Sequence, residues 1–380
     1  MPTTAPNPLD PSSFTHRQVL VPSGRSFHLV DQPPAHWRGD VRDAPTVLMC
    51  HGFPDLWYGW RYQIAALSSR GYRVLCPSMT GYHQSSQPDN LDAYTFKSVA
   101  YDLNGLLDEV GAGKVVVFGH DWGGMVAWRF AEYFPHRVLA VASVCTPYLP
   151  PPSPSSPSIP LEQLVKSKLP NFGYQLFFAS DRAAPKLEKV LPEFLAGSFS
   201  ETVRGEKRKK GEKVGQMPVK EGALEKQMDR LMQAKEQGKT RPPPTDPEYL
   251  YYLTSFSSTG LTHPLNWYRT RALNEADERA ARLAERGFPA EVPALLLTVT
   301  EDPALPPSMA EGVGMKRAFE RGGNLRVKRV EGADHWLLQD PLYRNKVTDM
   351  LDDFAQEVLS GKWRPEKRPE GSKDGEKAKL

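Results

Sequence analysis

The 380-residue sequence predicts an α/β protein in which a mostly parallel central sheet, flanked by helices, carries an inserted helical cap. Three observations predict it. From residue 18 to 145, short runs rich in Val and Leu alternate with stretches of helical apolar spacing. The same alternation returns after residue 290, and between about 149 and 275 strand patterns vanish. Parallel strands need crossover connections, usually helices, and these cover both faces of the sheet.

The elements follow in order. Residues 1–17 are Pro-, Thr- and Asn-rich at their start and read as a flexible N-terminus. The first part of the core spans 18–148. It opens with a hairpin, Gln18–Val21 and Ser26–Val30, around Ser23-Gly24, which adds antiparallel edge strands. Thr46–Cys50, Arg73–Cys76, Lys114–Phe118 and Leu139–Cys145 read as strands, with helices at Tyr58–Ser69, Phe96–Val110 and Met125–Phe134. A Pro cluster at 149–160 and another at Pro242–Pro244 look like joints, so 149–275 is expected to be the cap. Within it, 201–241 is a charged insertion without an aromatic residue. Acids interleave its bases, which favours a solvated loop over a nucleic-acid patch. Leu224, Met228, Leu231 and Met232 give its second half the spacing of an amphipathic helix. The second part of the core spans 276–361, with strands Ala294–Val299 and Leu325–Val330 and helices Pro307–Glu320 and Tyr343–Leu359. The charged tail, 362–380, is expected to be disordered.

Composition excludes several classes. Lys and Arg number 48 against 45 Asp and Glu, a net charge of +3 that is too weak for a nucleic-acid field. Cys50, Cys76 and Cys145 are scattered through apolar runs and suit neither a disulfide framework nor a thiolate zinc site, so a reducing compartment is expected. No stretch approaches the roughly 18 apolar residues of a spanning helix, and neither secretion nor an integral membrane segment is expected.

The chemistry is concentrated in Lys114-Val-Val-Val-Phe-Gly-His-Asp-Trp-Gly-Gly124, a buried strand that turns at Gly119-His120-Asp121-Trp122-Gly123 straight into a helix. Such a strand–elbow–helix turn displays a nucleophile. A phosphate-loop reading fails because Gly111-Ala-Gly113-Lys114 precedes the strand and Val115 stands where Ser or Thr would bind magnesium. The elbow residue is Asp121, which changes the reaction class. A carboxylate needs no activating base, and its attack on a saturated carbon leaves an ester that water can hydrolyse, whereas Ser would leave an inert ether. An epoxide or a halide is therefore the expected electrophile. After the strand Thr46–Cys50, the segment His51-Gly52-Phe53-Pro54 offers the Phe53 N–H to an oxyanion hole, to be joined by the N–H of Trp122. His51 and His120 read as residues that orient these loops. Asp302, beyond the strand Ala294–Val299, and His335, in Val330-Glu-Gly-Ala-Asp-His-Trp336, complete the order nucleophile, acid, base. Glu301 and Asp334 are rivals for the acid. No metal or organic cofactor is required by this set.

Over about residues 18 to 360 the chain resembles the epoxide hydrolases of the α/β-hydrolase fold. The shared motifs are His51-Gly-Phe-Pro54, Ser78-Met-Thr-Gly-Tyr82, Gly119-His-Asp-Trp-Gly-Gly124 and Gly332-Ala-Asp-His-Trp336. Two cap segments, Phe172-Gly-Tyr-Gln-Leu-Phe177 and Pro264-Leu-Asn-Trp-Tyr-Arg269, are similar to those that hold the family's two lid tyrosines. The resemblance implies Tyr174 and Tyr268 as proton donors to the epoxide oxygen. It places Gln175 and Trp122 at the pocket and Phe177, Phe178 and Trp267 in its apolar wall. The implied activity is conversion of an epoxide and water to a vicinal diol through an ester on Asp121. The alternative is a haloalkane or fluoroacetate dehalogenase with the same Asp and His, and a catalytically silent binder is a third reading. The insertion at 201–241 and the hinge at 149–160 depart from the family pattern by their length. The chain ends Ala378-Lys379-Leu380, similar to the Ser-Lys-Leu address read by a peroxisomal import receptor, which makes peroxisomal or cytoplasmic localisation the expectation.

Overall fold

The computed structural model describes residues 4–199, 217–240, 242–310, 312, 315, 318–319 and 324–365. The first half of the charged insertion, much of 311–323 and the tail with Ala378-Lys379-Leu380 lie outside the described residues.

Eight strands form one sheet: β1 (His16–Leu20), β2 (Ser26–Gln32), β3 (Thr46–Cys50), β4 (Arg73–Pro77), β5 (Val115–His120), β6 (Val138–Val144), β7 (Ala294–Val299) and β8 (Leu325–Val330). Their spatial order is β1-β2-β4-β3-β5-β6-β7-β8, with β1 and β2 antiparallel and all pairs from β4 to β8 parallel. Every residue of β3, β4, β5 and β7 is buried, as continuous Val- and Leu-rich runs demand when helices cover both faces. The edge strands differ. β1 is exposed at four of five positions, and β8 carries Arg326, Lys328 and Arg329, charges that blunt an open edge.

On one face α1 (Arg61–Ser69) packs against the C-terminal helix, while α2 (Phe96–Glu109) and α3 (Trp122–Tyr133) pack together on the other. Two predicted helix starts shift. Trp57–Trp60 is a 3-10 turn preceding α1, pressed so closely on Asp55 that a Cβ on Gly59 would lie 2.1 Å from its carboxylate. α3 begins at Trp122, directly after the elbow, rather than at Met125. Of the helix expected at Pro307–Glu320, the described residues show a 3-10 turn at Pro307–Met309 and helical backbone at Met315, Ala318 and Phe319.

Between β6 and β7 the described residues form no strand. The helices there are α4 (Leu161–Ser167), α5 (Gly173–Phe178), α6 (Ala183–Lys189), α7 (Leu191–Ser198), α8 (Ala223–Glu236), α9 (Pro247–Thr259), α10 (Arg271–Ala280) and α11 (Leu283–Arg286), and α12 (Arg344–Leu359) ends the fold. α8 is the amphipathic helix anticipated in the insertion. Leu224 and Met228 are buried, and Glu225 is clamped by Arg182 and Lys186 of the preceding cap segment, which hold its carboxyl down at about 2. Asp246 caps α9 by accepting the Tyr249 N–H at 2.8 Å, with Pro247 at its first position.

The strand order reverses at β3: the chain leaves it toward β4 on one side and returns to β5 on the other. A crevice opens outside the carboxyl ends of strands at such a point. The register pairs Cys50 with Gly119, so His51-Gly52-Phe53 and His120-Asp121 emerge side by side there.

Candidate active site

Asp121 follows the last residue of β5 with φ 54° and ψ −123°, a conformation that costs of order 1–3 kcal/mol and persists only where surroundings impose it. The surroundings are visible. Thr146 Oγ1 donates to the Asp121 carbonyl at 2.7 Å. Gly123 lies so near β3 that a Cβ would sit 2.1 Å from the Cys50 carbonyl oxygen, and a Cβ on Gly52 would sit 2.3 Å from Asp121 Oδ1. Any side chain at these positions would push apart the two loops that form the site.

The Asp121 carboxylate points into the crevice. Its Oδ1 accepts the Phe53 N–H at 2.9 Å, and the Trp122 N–H donates to the same carboxyl group. Burial raises the affinity of Asp121 for its proton, opposed by the charge of His335 and by these two N–H donors. His335 Nε2 stands 3.6 Å from Asp121 Oδ2. On its other side, His335 Nδ1 meets Asp302 Oδ2 at 2.6 Å. Asp302 is 3% exposed, and its second oxygen accepts the N–H groups of Ala304 and Leu305 at 2.8 and 3.0 Å. Burial alone would push the Asp302 carboxyl up, but the imidazole and those two N–H groups together hold it below the usual range. Burial would likewise lower His335, yet the Asp302 anion lifts it well above an ordinary histidine. The other acids considered stand elsewhere: Glu301 lines the crevice, and Asp334 Oδ1 accepts the Trp336 N–H at 2.9 Å.

His120 Nε2 donates to the His335 carbonyl at 2.8 Å, and His51 spans its loop between the Gly52 carbonyl and the Met79 N–H, each at 3.0 Å. Both are deeply buried and shifted down, first by burial. One group of potential metal ligands occurs among the described residues: His120, Cys145 and His335 bring one ligand atom each within 4.8 Å of the others. These side chains are already committed, since His120 and Cys145 turn to the His335 carbonyl and His335 to Asp302.

Tyr174 from α5 and Tyr268 from the 3-10 turn Pro264–Arg269 descend over Asp121, their rings 6.3 Å apart at 77°. Burial, then the Asp121 charge, raises both phenols far above the usual range, so both keep their protons. Gln175 Nε2 donates to the Tyr174 oxygen at 3.3 Å, and the Trp122 side chain hydrogen-bonds the Tyr268 oxygen. With acceptor positions so occupied, each O–H is left to donate.

Two cavities meet at Asp121, Tyr174 and Tyr268. The first, about 670 Å³, is walled by Phe53, Phe178, Met217, Val219 and Trp336. The second, about 1120 Å³, is lined by Trp122, Gln175 and Trp267, the last fixed by its Nε1–H to the Thr80 carbonyl at 3.0 Å. Phe177 lines neither, against expectation. It lies about 100° round α5 from Phe178 and is buried in the cap at 3% exposure. Met217 and Val219 went unnoticed in the sequence. They reach the cavity because Val219 O accepts the Tyr174 N–H at 3.0 Å, a tertiary contact without a local signal.

Comparison with known proteins bears on the family and the fold. The profile of the alpha/beta hydrolase fold family matches residues 45–341. The chain is 35% identical to Epoxide hydrolase A of Mycobacterium tuberculosis over 78% of its length and 86% of the relative's. It is 31% identical to Epoxide hydrolase srdG of Neurospora crassa over 93% and 98%. It is 32% identical to the pig Bifunctional epoxide hydrolase 2, and spans only 59% of that longer protein. The crystal structure of Epoxide Hydrolase A from Mycobacterium thermoresistibile superposes with a TM-score of 0.68 at 29% identity, covering 90% of this chain and 98% of that one. An Asp at the turn from β5 into α3, an acid and a histidine after β7 and β8 and this pattern of likeness lead to one conclusion: the chain belongs to the epoxide hydrolases of the α/β-hydrolase fold family.

Proposed function

We propose that the protein hydrolyses an epoxide to a vicinal diol in two steps through an ester on Asp121. The observation that carries this reading is the pair of protonated phenols, Tyr174 and Tyr268, above a carboxylate held by two backbone N–H groups. An opening epoxide generates an alkoxide, which needs a proton or a strong donor; a departing halide does not. Asp121 Oδ2, the oxygen not bound by Phe53, attacks an epoxide carbon while Tyr174 and Tyr268 donate to the ring oxygen.

Ester formation removes the Asp121 charge. The imidazolium of His335 then loses an anion 3.6 Å from Nε2, which favours passage of its proton through solvent to the phenolate that ring opening leaves and readies it as a base. Asp302 keeps the ring oriented through Nδ1 while His335 draws a proton from water, and that water adds to the ester carbonyl. The carbonyl oxygen of the ester is Asp121 Oδ1, already at the Phe53 N–H, with the Trp122 N–H donating to the same carboxyl group, so the negative charge of the tetrahedral intermediate develops beside backbone donors. Collapse breaks the bond between the carbonyl carbon and Oδ2, the departing alkoxide takes the hydroxyl proton of the intermediate, and the diol leaves with Oδ2 while the water oxygen completes the Asp121 carboxylate.

Because the cavities open on both sides of the catalytic groups, both carbons of the epoxide can carry substituents. The apolar first cavity suits an aryl or alkyl group. Cytoplasmic or peroxisomal residence, the latter through the C-terminal tripeptide, completes the proposal. Among the described residues no helix is long and apolar enough to cross a membrane.

A single turnover with enzyme in excess over styrene oxide in ¹⁸O-labelled water tests the route. Label in the Asp121 peptide with unlabelled diol is the expected result. Label entering the diol directly would mean that water attacks the epoxide and that Asp121 is no nucleophile.

A further inference from the structure

Tyr174 is the second residue of α5, a helix of only six residues. The first N–H groups of a helix have no acceptor within it, and where the helix is buried each must find one elsewhere. The Tyr174 N–H finds the Val219 carbonyl at 3.0 Å. Val219 lies in the charged insertion, in a segment whose Met217 and Val219 also wall the first cavity beside Asp121, Tyr174 and Tyr268. The following residues of that segment press on the start of the helix. A Cβ on buried Gly173 would lie 2.1 Å from the Glu221 nitrogen and 2.7 Å from the Lys220 carbonyl carbon. Both contacts are with backbone, which cannot swing aside as the tip of a side chain can.

The segment is itself fixed. Gly222, at φ 70°, turns the chain into α8, whose Leu224 and Met228 are buried in the cap. Glu225 pairs with Arg182 at 3.0 Å and with Lys186 at 2.9 Å, and Lys186 reaches Asp229 at 2.7 Å. Lys235 Nζ donates to the Lys189 carbonyl at 2.7 Å. These ties join the insertion to α6 and its flanks, the stretch that follows α5 in the chain. Just before α5, Asn171 Nδ2 donates to the carbonyl of Ala304, the residue whose N–H holds Asp302. The helix that carries Tyr174 is thus held by the core loop through one contact and by the insertion through several.

We propose that Gly173 and the segment 217–221 are positioning residues for ring opening: the insertion sets where the Tyr174 hydroxyl meets the epoxide oxygen and has no part in hydrolysis of the ester. The division follows from which groups serve each step. Tyr174 donates as the ring opens, whereas the ester is hydrolysed by His335, Asp302 and the Phe53 and Trp122 N–H groups, all carried by the core. The inference rests on the epoxide-hydrolase reading and says what the insertion contributes to it.

The test is Gly173→Ala. Within a helix Ala is ordinarily favoured over Gly, so a loss here comes from the contact with the insertion and not from propensity. Ordinary contact begins at 3.4 Å, so the methyl must drive helix and segment apart by about 1 Å, enough to misplace a reacting group. Losing the phenol altogether, in Tyr174→Phe, sets the ceiling at about tenfold. In rapid mixing with styrene oxide, followed by mass spectrometry of the Asp121 peptide, Gly173→Ala should form adduct about five- to tenfold more slowly and hydrolyse preformed adduct at the wild-type rate. Added to Tyr174→Phe, the same substitution should slow adduct formation no further, because both act through one hydroxyl. Pro218→Gly frees the backbone of the segment without any clash, should slow adduct formation alone by about threefold, and decides the matter should Gly173→Ala fold poorly. Adduct formation at the wild-type rate in both variants, an equal loss in both steps in Pro218→Gly, or a full loss persisting in the Tyr174→Phe background overturns the proposal. A wild type that forms no adduct with styrene oxide overturns the epoxide-hydrolase reading itself, and this assignment with it.

Discussion

Replacing His335 by Gln separates the two proposed steps. Asp302 is buried and already accepts two backbone N–H groups, so removing the imidazole with Ala would strand a carboxylate lacking its charged partner, at a cost of about 3–5 kcal/mol. A Gln amide can donate to Asp302 Oδ2 in place of Nδ1 and limits that loss. Ring opening requires only Asp121 and the phenols, since His335 Nε2, 3.6 Å from Asp121 Oδ2, has no proton to take in that step. Hydrolysis of the ester loses its base, and a positioned general base contributes about 10²–10⁴-fold. The variant should therefore alkylate at close to the normal rate and then stall. Intact-protein mass spectrometry after mixing with styrene oxide should show one equivalent of adduct, located on the Asp121 peptide, with no burst of diol and diol released only at the slow rate of ester hydrolysis. Asp121→Ala should show none. Steady turnover by His335→Gln without an adduct would refute the scheme, because some other group would be activating the water.

Asp302→Asn removes the anion that lifts His335, so the acid limb of the kcat profile should move to lower pH while the plateau falls by about 10²-fold or more; an unmoved limb would dissociate Asp302 from the base. Tyr174→Phe and Tyr268→Phe should each lower the rate of adduct formation by about tenfold, and the double variant by more than either, while the rate of ester hydrolysis measured on preformed adduct stays the same. Met217→Trp should fill the first cavity and reduce kcat/KM for epoxides with a bulky apolar group far more than for propylene oxide, as expected of a wall residue contributed by the insertion. His28 is buried, hydrogen-bonds Ser78 at 2.9 Å and is lowered to about 3, chiefly by burial, then by neighbouring histidines. It stays neutral in the folded protein where the unfolded chain binds a proton. Relative to His28→Gln, the wild type should lose about 1.4 kcal/mol of stability per pH unit as pH falls from 6.5 toward 4, as read from urea melts.

The strands were legible because buried parallel strands must be continuous apolar runs. Thr46–Cys50 and Ala294–Val299 have the bounds expected of them, the edge strand Leu325–Val330 showed instead by its apolar–charged alternation, and the hairpin appeared from its turn residues. Helix starts were less legible. Nothing local announces that Gly59 presses on the Asp55 carboxylate or that the turn Trp57–Trp60 is 3-10 rather than α.

The candidate site divides the same way. Sequence by itself determined which groups are available: an Asp at a strand–helix elbow with glycines around it, a histidine and an acid late in the chain, and two tyrosines in the cap, because the chemistry of each group and the tightness of the elbow are written in residue type. It could not decide geometry between distant segments. The contact of His335 with Asp302 at 2.6 Å, rather than with Glu301 or Asp334, depends on how two loops after neighbouring strands face each other. Phe177 and Phe178 are chemically alike and adjacent, and only the rotation of α5 turns one toward the substrate and the other into the cap. Tertiary structure also decided that Arg129, which in the sequence is one more cation on a helix, is satisfied by Glu132, Glu278 and a hinge carbonyl. The physical reason is common to all three: hydrogen bonds, charge pairs and apolar contacts act over only about 3–4.5 Å, and which groups come that close is fixed by packing between elements far apart in the chain.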